Sequence, residues 1–486
     1  MKTHLQSGHN SNGTTFRYAE LADTLEAQVR NGTFRAGDRL PSIRQLNSET
    51  GLSISTVYQA FMELEKRGLV IARQKSGYYV KPMLDDILPA PQTSAATAVP
   101  HKVTINTMAF ALMEAMVDPH VLQFGGALIA ADLLPGRTLA NLTKSMTQKE
   151  LITGFATYEH YMGHEPLRRQ IAKRSTLFCG KTSLDEIVVT NGCMEAVSLC
   201  LKAVAATGDT IVVESPTFPW FLQIIEDLGM YALEIPSLSH DGIDLTLLEK
   251  AIRRHAVKAA ILVPNFNNPM GFQMPDDKKA VLVSMLCGND IAIIEDDIYG
   301  ELYFGTKRPT TLKALDPNGM VLYCGSFSKT VSPGLRVGWT MPGRFLDNVR
   351  RLKVNQTLAE PTLTQYVLTQ FMHSGRYDRH LRTLRTCLKN QVSNTALAVA
   401  QHFPAGTKIS APKGGLCLWV QLPAPIDSLE LFRRAMEKKI AVLPGIICAT
   451  TDAYRNCIRI SCGLPWSRQL DQGLQTLGGI IHELNI

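Results

Sequence analysis

Residues 321–339 read VLYCGSFSKTVSPGLRVGW, and this stretch decides the fold of most of the chain. Short apolar runs at 321–324 and 337–340 predict strands, since runs of this length bounded by glycine and serine suit strands buried on both faces. The turn between the two runs contains Lys329 and Arg336. A lysine that follows a buried strand can lose its water and become nucleophilic, so the turn is a candidate cofactor-binding or catalytic loop.

More apolar runs of the same kind lie on the N-terminal side of this stretch, separated by helical patterns. The predicted strands are residues 187–190, 210–214, 231–235, 259–263 and 291–295, and the helices between them include 194–206 and 219–228. Strands that alternate with helices predict an α/β domain whose largely parallel sheet is covered on both faces. Ligands of such sheets bind at the carboxyl ends of the strands, where Lys329 is expected.

The sequence gives little support to a nucleotide-binding loop, a β-lactamase-like serine site or a metal site. Neither G-x-x-x-x-G-K-[ST] nor G-x-G-x-x-G occurs, so the acidic strand at 291–296 has no partner loop for a nucleotide. The S-x-x-K of residues 326–329 fits the β-lactamase pattern, but S-D-N and K-T-G do not follow. His160 and His164 are spaced for one helix face, but no third ligand is suggested, and no metal site is predicted.

The same strand ends carry the groups that pyridoxal 5′-phosphate (PLP) requires: a lysine, an anion for the ring nitrogen and a phosphate cradle. Lys329 supplies the amine, and Asp296 ends the apolar run before it. Residues 192–194 join a strand to a helix and offer backbone N–H groups to a phosphate, with Ser326 and Arg336 nearby in the turn. Taken singly, each of these residues can also be explained without a cofactor, as a solvated lysine, a helix cap or a turn.

Taken together, these residues resemble the fold-type I aminotransferases across residues 111–486. The phrases that carry the resemblance are YEHYMGHEPLRRQIA (158–172), ESPTFPW (214–220), NFNNPMG (265–271), EDDIYGEL (295–302), GSFSKTVSPGLRVGW (325–339) and CIRISCG (457–463). The resemblance implies that Lys329 holds PLP covalently and that Asp296 pairs with the pyridine nitrogen. It implies further contacts to the cofactor's ring, phenolic oxygen and phosphate from Phe218, Asn268, Tyr299, Gly192, Cys193, Met194, Ser326 and Arg336.

Two more implied roles concern the ligand and a second subunit. Arg459 would bind a substrate α-carboxylate through a bidentate fork. Tyr158 would reach the phosphate in the neighbouring subunit, which implies a homodimer with shared PLP sites. The sequence departs from the family where serine or glutamine commonly follows the cradle glycine, since Cys193 and Met194 stand there. A second departure is Met270, which follows Asn268-Pro269 where the family usually has a small residue.

The first eighty residues have a different pattern. Helices are predicted at 18–29 and 42–49, a third helix begins after the N-cap Ser53, and a basic hairpin is predicted at 69–73 and 78–80. This is the element order of a winged helix-turn-helix, in which the helix after the turn enters the major groove of DNA. A small helical interaction domain is the plainer alternative.

The phrases GTFRAGDRLPSIRQL (32–46) and GLSISTVYQAFMELEKRGLVIARQKSGYYV (51–80) resemble the GntR family of bacterial regulators. The resemblance implies that DNA is contacted by Arg39, Arg44, Ser53, Ser55, Thr56, Tyr58 and Gly77. One departure is Ile54, which stands where the family often has arginine.

Composition sets the domain organisation. At 486 residues the chain predicts two to four domains, and residues 82–100 (PMLDDILPAPQTSAATAVP) read as a linker. We expect a DNA-binding domain at 1–82, a linker at 83–110 and a PLP-binding domain at 111–486, with a large part at about 135–345 and a small α/β part at about 346–486. Basic residues outnumber acidic ones by four in residues 1–81, of a net charge of +7 for the chain. That excess suits a DNA-binding domain.

The ten scattered cysteines include no C-x-x-C, which favours free thiols in a reducing compartment. The sequence has no apolar run long enough to span a membrane and no signal-peptide pattern, so we expect a cytoplasmic protein.

A GntR-type domain fused to an aminotransferase-like domain resembles the MocR subfamily of transcription regulators. The resemblance implies a regulator whose PLP domain senses an amino compound and alters DNA binding. The alternative is a working aminotransferase with an accessory DNA-binding domain. Both need Lys329 and Arg459, so these residues do not discriminate, and transamination stays open. The basic N-terminal domain favours the regulator.

Overall fold

The computed structural model describes residues 17–73, 76–93, 98–103, 113–115 and 118–485. It divides into two compact units, Met1–Asp86 and Ile87–Ile486. Of the predicted linker 83–110, residues 94–97 and 104–110 lie outside the described part, as do Lys75 of the predicted hairpin turn and residues 111–112 at the predicted start of the large domain. The predicted domain boundaries stay a prediction.

The described residues of the N-terminal unit form three α-helices, one β-hairpin and a short 3-10 turn at Leu84–Asp86. The helices and the hairpin strands are α1 (Arg17–Arg30), α2 (Ile43–Thr50), α3 (Ile54–Lys66), β1 (Val70–Arg73) and β2 (Gly77–Val80), with β1 and β2 antiparallel. The expected inner face of α3 is buried at Val57, Ala60, Phe61 and Leu64, against Leu21, Leu25, Leu40, Leu46, Val70 and Val80. The predicted winged helix-turn-helix is confirmed.

The second unit has many more elements. Its strands are β3 (Pro100–Lys102), β4 (Leu122–Gln123), β5 (Val188–Thr190), β6 (Thr210–Ser215), β7 (Tyr231–Leu238), β8 (Gly242–Ile243), β9 (Val257–Leu262), β10 (Ala292–Asp296), β11 (Val321–Ser326), β12 (Gly338–Met341), β13 (Lys408–Ile409), β14 (Cys417–Gln421), β15 (Ile440–Ala441), β16 (Leu443–Pro444) and β17 (Cys457–Ser461). Its helices are α4 (Gly136–Lys144), α5 (Gln148–Ala156), α6 (Glu165–Ser175), α7 (Cys193–Val204), α8 (Pro219–Asp227), α9 (Leu245–Arg254), α10 (Asp276–Gly288), α11 (Leu346–Gln356), α12 (Thr362–His373), α13 (Arg376–His402), α14 (Ser428–Glu437) and α15 (Arg468–Leu484).

The main sheet has the order β3-β7-β6-β9-β10-β11-β12-β5, with β8 beside β7. Strands β7, β6, β9, β10 and β11 pair in parallel, whereas β12 is antiparallel to both of its neighbours and β3 is antiparallel to β7. The prediction of a largely parallel sheet is confirmed, and the exceptions are β12, the edge strand β3 and the short strand β8, which is antiparallel to β7.

Helices cover both faces of this sheet, which is why its strands read as continuous apolar runs. Ile211, Val213 and Ile294 face the core that contains α7 and α8. Val212 and Ile293 face the opposite core, which contains α9 and α10. Alternate residues of one strand therefore lie in different cores.

The C-terminal part forms a smaller sheet of order β13-β14-β17-β16, accompanied by α13, α14 and α15. The short strand β4 pairs in parallel with β15, so residues before α4 are joined to the C-terminal part. Within the described part of the chain, no helix has the length and apolarity that crossing a bilayer requires.

Candidate functional site

A cavity of about 310 Å³ lies at the carboxyl ends of β10 and β11. Among the described residues that line it, four side chains carry charge: Asp296, Lys329, Arg336 and Arg459. The lining also includes these other residues of the predicted site: Phe218, Asn268, Tyr299, Cys193, Met194 and Ser326. Predicted site residues as far apart in the sequence as Cys193 and Arg459 therefore surround one cavity.

Lys329 lies in the turn after β11, half-buried in the cavity wall. Its Nζ donates a hydrogen bond of 2.7 Å to the carbonyl oxygen of Ala127. The surrounding protein excludes water from the charged amine and lowers the pKa of Lys329 to about 8. About a tenth of this amine is therefore neutral, and thus nucleophilic, at pH 7, which is far more than for an ordinary lysine.

The lowered pKa of Lys329 leads to a testable prediction about how fast its amine reacts. In protein freed of any bound cofactor, the rate at which acetic anhydride acylates Lys329 should rise with pH and reach half of its plateau near pH 8, because only the neutral amine reacts. Competitive labelling followed by peptide mass spectrometry measures that rate. A half-point near the ordinary lysine pKa of about 10.4 would contradict the argument.

Asp296 ends β10 and is 4% exposed. Its Oδ1 accepts a hydrogen bond from the Cys193 thiol at 3.4 Å and another from the Ile298 backbone N–H at 3.2 Å. Burial raises the pKa of this carboxyl to about 6, because the charged form loses water, while these two hydrogen bonds act in the opposite direction. The carboxylate is thereby held in place and stays available to a cationic ring nitrogen.

The contact between Cys193 and Asp296 was not anticipated from the sequence. From the sequence, Cys193 is predicted to belong to the phosphate cradle through its backbone N–H, whereas in the structure its thiol contacts the carboxylate at the end of β10. A cysteine at the first position of a helix that follows a glycine was the available signal.

The expected phosphate cradle lies at the start of α7. Gly192 precedes the helix with a φ of +82°, and a Cβ there would lie 2.6 Å from Nη2 of Arg336. That nitrogen donates to the Asn191 carbonyl at 3.1 Å, and the Ser326 hydroxyl donates to the Val337 carbonyl at 3.1 Å. A glycine turn, a helix N-terminus and a guanidinium together suit a phosphate dianion, so the residues present fit PLP.

Arg459 extends from β17 and is 2% exposed. Its Nη1 donates to Asn268 Oδ1 at 2.8 Å, and Nη2 donates to the Gly125 carbonyl. Its Nε has no hydrogen-bond partner among the residues the structure describes. A buried donor of this kind costs free energy until a ligand accepts from it. Asn268 in turn donates to the Tyr299 hydroxyl at 3.4 Å.

Tyr158 lies outside the cavity and is 85% exposed. It follows α5, on which Ile152 and Phe155 are also exposed. Three exposed apolar side chains therefore lie within seven residues of the sequence, and we call Ile152, Phe155 and Tyr158 together the α5 patch.

In the N-terminal unit, the start of α3 presents the predicted hydroxyls. Ser53 caps the helix by accepting from the Thr56 backbone N–H at 3.1 Å, and its hydroxyl lies 2.8 Å from those of Ser55 and Thr56. Tyr58 and Ile54 are both exposed beside them. This end of the helix therefore offers hydroxyl groups and a positive helix terminus to a nucleic acid.

The hairpin adds a second group of predicted residues. Gly77 has a φ of +111°, and a Cβ on it would lie 3.2 Å from Nε of Arg39, which pairs with Tyr79 in an isolated bridge. The Arg73 guanidinium lies 4.3 Å from the centre of the Tyr79 ring, a contact not anticipated from the sequence. Arg44 is exposed on α2.

Comparisons with known proteins cover both units. The family described as "Bacterial regulatory proteins, gntR family" matches residues 17–80, and "Aminotransferase class I and II" matches residues 130–477. The uncharacterized HTH-type transcriptional regulator YdcR of Escherichia coli is 37% identical over 96% of this chain and 99% of its own length. A second one, YjiR of Escherichia coli, is 35% identical over 96% of this chain and 99% of its own length.

Solved structures resemble the large unit. Kynurenine aminotransferase of Pyrococcus horikoshii has a TM-score of 0.73 and 26% identity, over 79% of this chain and 95% of its own. The α-aminoadipate aminotransferase LysN of Thermus thermophilus has a TM-score of 0.72 and 27% identity, over 79% of this chain and 96% of its own. The predicted fold-type I aminotransferase architecture is confirmed.

Proposed function

The chain belongs to the MocR type of GntR-family transcription regulators, which join a GntR helix-turn-helix to an aminotransferase class I and II domain, and we propose that its large unit is a PLP-dependent sensor. An amino compound bound beside PLP would change the affinity of the N-terminal unit for DNA. The observation that carries the proposal is one cavity that contains Lys329, Asp296, Arg336 and Arg459 in a chain that begins with a winged helix-turn-helix.

Each site residue has a proposed task. PLP supplies an aldehyde that condenses with amines and a ring that accepts electrons. Lys329 holds the cofactor through its amine, and the Asp296 carboxylate holds a proton on the ring nitrogen. Backbone N–H groups at 192–194, with Ser326 and Arg336, bind the phosphate. Side chains that orient the ring and its phenolic oxygen are Phe218, Asn268 and Tyr299.

Arg459 is proposed to bind the carboxylate of the amino compound. Its buried, unpartnered Nε supports this task, because a carboxylate can accept two parallel N–H bonds from a guanidinium. The same arrangement permits residual transamination, so a working aminotransferase is the second candidate function. The DNA-binding unit favours regulation, since an aminotransferase alone has no use for it.

We also propose a homodimer with shared PLP sites in the cytoplasm, where its DNA would be. The α5 patch supports the dimer, because a second copy would remove Ile152, Phe155 and Tyr158 from water. In such a dimer, Tyr158 would complete the phosphate site of the partner copy.

DNA binding by the N-terminal unit is testable with single substitutions. Arg39→Ala or Arg44→Ala in the full chain should weaken binding to all duplexes. Each should also make the negative slope of log association constant against log salt shallower by about one, because each removes one phosphate contact. Substituting Thr56 or Tyr58 should instead change the preference among sequences, by about 1–3 kcal/mol per lost base contact. Fluorescence anisotropy over a salt series measures both effects.

Arg382→Ala is the matched control, since Arg382 is exposed on α13 of the large unit. It should leave the salt slope unchanged. If residues 83–486 alone bind a duplex as tightly as the full chain does, the assignment of DNA binding to the N-terminal unit is wrong.

A further inference from the structure

The charges around the cavity restrict what can bind beside PLP. Among the described lining residues, the charged side chains are Asp296, Lys329, Arg336 and Arg459. In the proposed function, the first three bind the ring nitrogen, the aldehyde end and the phosphate of PLP. Among the described charged residues that line the cavity, Arg459 then remains to neutralise a charge on the ligand itself.

The rest of the ligand would meet apolar surface. Leu128, Trp220, Leu443 and Met113 line the cavity and have no task in binding PLP. Leu443 is 1% exposed. Trp220 lies beside the predicted ring-stacking residue Phe218, with the ring centres 5.4 Å apart and the planes 21° from parallel. These side chains offer an aromatic and aliphatic wall without a second ion-pairing group.

We propose that the ligand sensed by this site is an α-amino acid with a single carboxylate and an uncharged, apolar side chain. The inference rests on the proposed function and specifies its ligand class. Among the described lining residues, a second carboxylate would find no free cation and a second ammonium would find no free anion. Burying an unpaired charge is costly, whereas burying an aliphatic or aromatic side chain is favourable.

The position of Arg459 explains why one carboxylate is required. Its guanidinium is buried, and two of its nitrogens are already fixed by Asn268 and Gly125. A ligand without a carboxylate would leave the Nε–H, one of the three N–H groups that these two bonds do not use, unpartnered. The corresponding amine without a carboxylate should therefore bind more weakly than its amino acid.

The experiment uses the purified full chain loaded with PLP and follows its visible absorbance. The titrants are L-leucine, L-methionine and L-phenylalanine against L-aspartate, L-glutamate and L-lysine, with phenethylamine as the carboxylate-free partner of phenylalanine. The apolar amino acids should bind at least about tenfold more tightly than the charged ones and than phenethylamine.

Substitutions test whether these apolar lining residues cause the preference for apolar amino acids. Trp220→Ala should reduce the advantage of the apolar amino acids, and Leu128→Arg should shift the preference towards L-glutamate by supplying a second cation. Leu177→Ala is the control, because Leu177 is 81% exposed and does not line the cavity. It should leave every affinity unchanged.

Equal or tighter binding of L-aspartate, L-glutamate or L-lysine to protein that shows the PLP band would overturn this inference and leave the proposed function standing. A PLP band that no amino acid of the panel alters would also overturn it. Protein that acquires no PLP band at all would overturn the proposed function and this inference with it.

Discussion

Lys329→Ala protein is expected to lose all covalently held PLP, whereas wild-type protein should retain the cofactor after borohydride reduction. The reason is that Lys329 is the only lysine among the described residues that line the cavity. Peptide mass spectrometry of the reduced protein should place the cofactor on Lys329 and on no other lysine. The loss should be complete, because the variant has no other amine in that position.

Lys258→Ala is the matched control, since Lys258 is an exposed lysine on β9 away from the cavity. It should retain the cofactor as wild type does. Thermal unfolding should show that Lys329→Ala remains folded. Cofactor attached to a different lysine in wild-type protein would contradict the assignment.

Arg308→Met should destabilise the large unit strongly. Asp297 is 3% exposed and accepts hydrogen bonds from Arg308 Nη2 at 2.5 Å, the Tyr323 hydroxyl at 3.0 Å and Asn265 Nδ2 at 3.1 Å. The guanidinium also lies 3.4 Å from the centre of the Phe178 ring. Removing it leaves a buried carboxylate without its cation, which costs about 3–5 kcal/mol of unfolding free energy.

Tryptophan fluorescence during guanidinium unfolding measures this loss in the large unit, because all four tryptophans lie in residues 220–466. The control is Arg253→Met, which breaks an exposed pair between Arg253 and Glu249. A surface pair contributes about 1 kcal/mol or less. Similar losses in the two variants would show that the Asp297 pair does not stabilise the unit as argued.

Local patterns predicted most of the fold. Ser53 was expected to cap the third helix, and its hydroxyl does accept from the Thr56 N–H. The apolar runs at 259–263 and 291–295 became the adjacent parallel strands β9 and β10. In both cases the information lies within a few residues, since capping depends on one side chain and burial on both faces leaves a continuous apolar run.

The antiparallel direction of β12 was not predicted, although the sequence contains a signal for it. Only residues 327–337 connect it to β11, and a parallel connection needs a dozen residues or more, so the antiparallel pairing could have been predicted. The pairing of β4 with β15 could not, because each strand has two residues and shows no periodicity. That contact depends on how distant segments pack.

The candidate cofactor site likewise contains residues that the sequence predicts and contacts that it does not. Lys329, Asp296 and the glycine turn at Gly192 were visible as strand ends, because parallel strands bring their carboxyl ends together. The contact of the Cys193 thiol with Asp296 joins residues 103 positions apart. The Arg459 hydrogen bond to Gly125 spans 334 positions. No local pattern specifies which side chains meet across such separations.

In the proposed regulator, ligand binding at Lys329 and DNA binding by the N-terminal unit are coupled. Coupling requires that PLP and an amino acid favour one state of the protein, and by linkage DNA must then alter their affinity by the same factor. The measurement is titration of one duplex with wild type and with Lys329→Ala, each with and without PLP and L-leucine. The duplex is the tightest binder that wild type selects from a random pool.

We expect the ligands to change the DNA affinity of wild type by about 5–150-fold and to leave that of Lys329→Ala unchanged. Lys329→Ala should still bind the duplex, because Arg39 and Arg44 belong to the other unit. Equal DNA affinity in all four titrations, together with turnover of an amino acid and a 2-oxo acid by wild type, would contradict the account and favour a working aminotransferase.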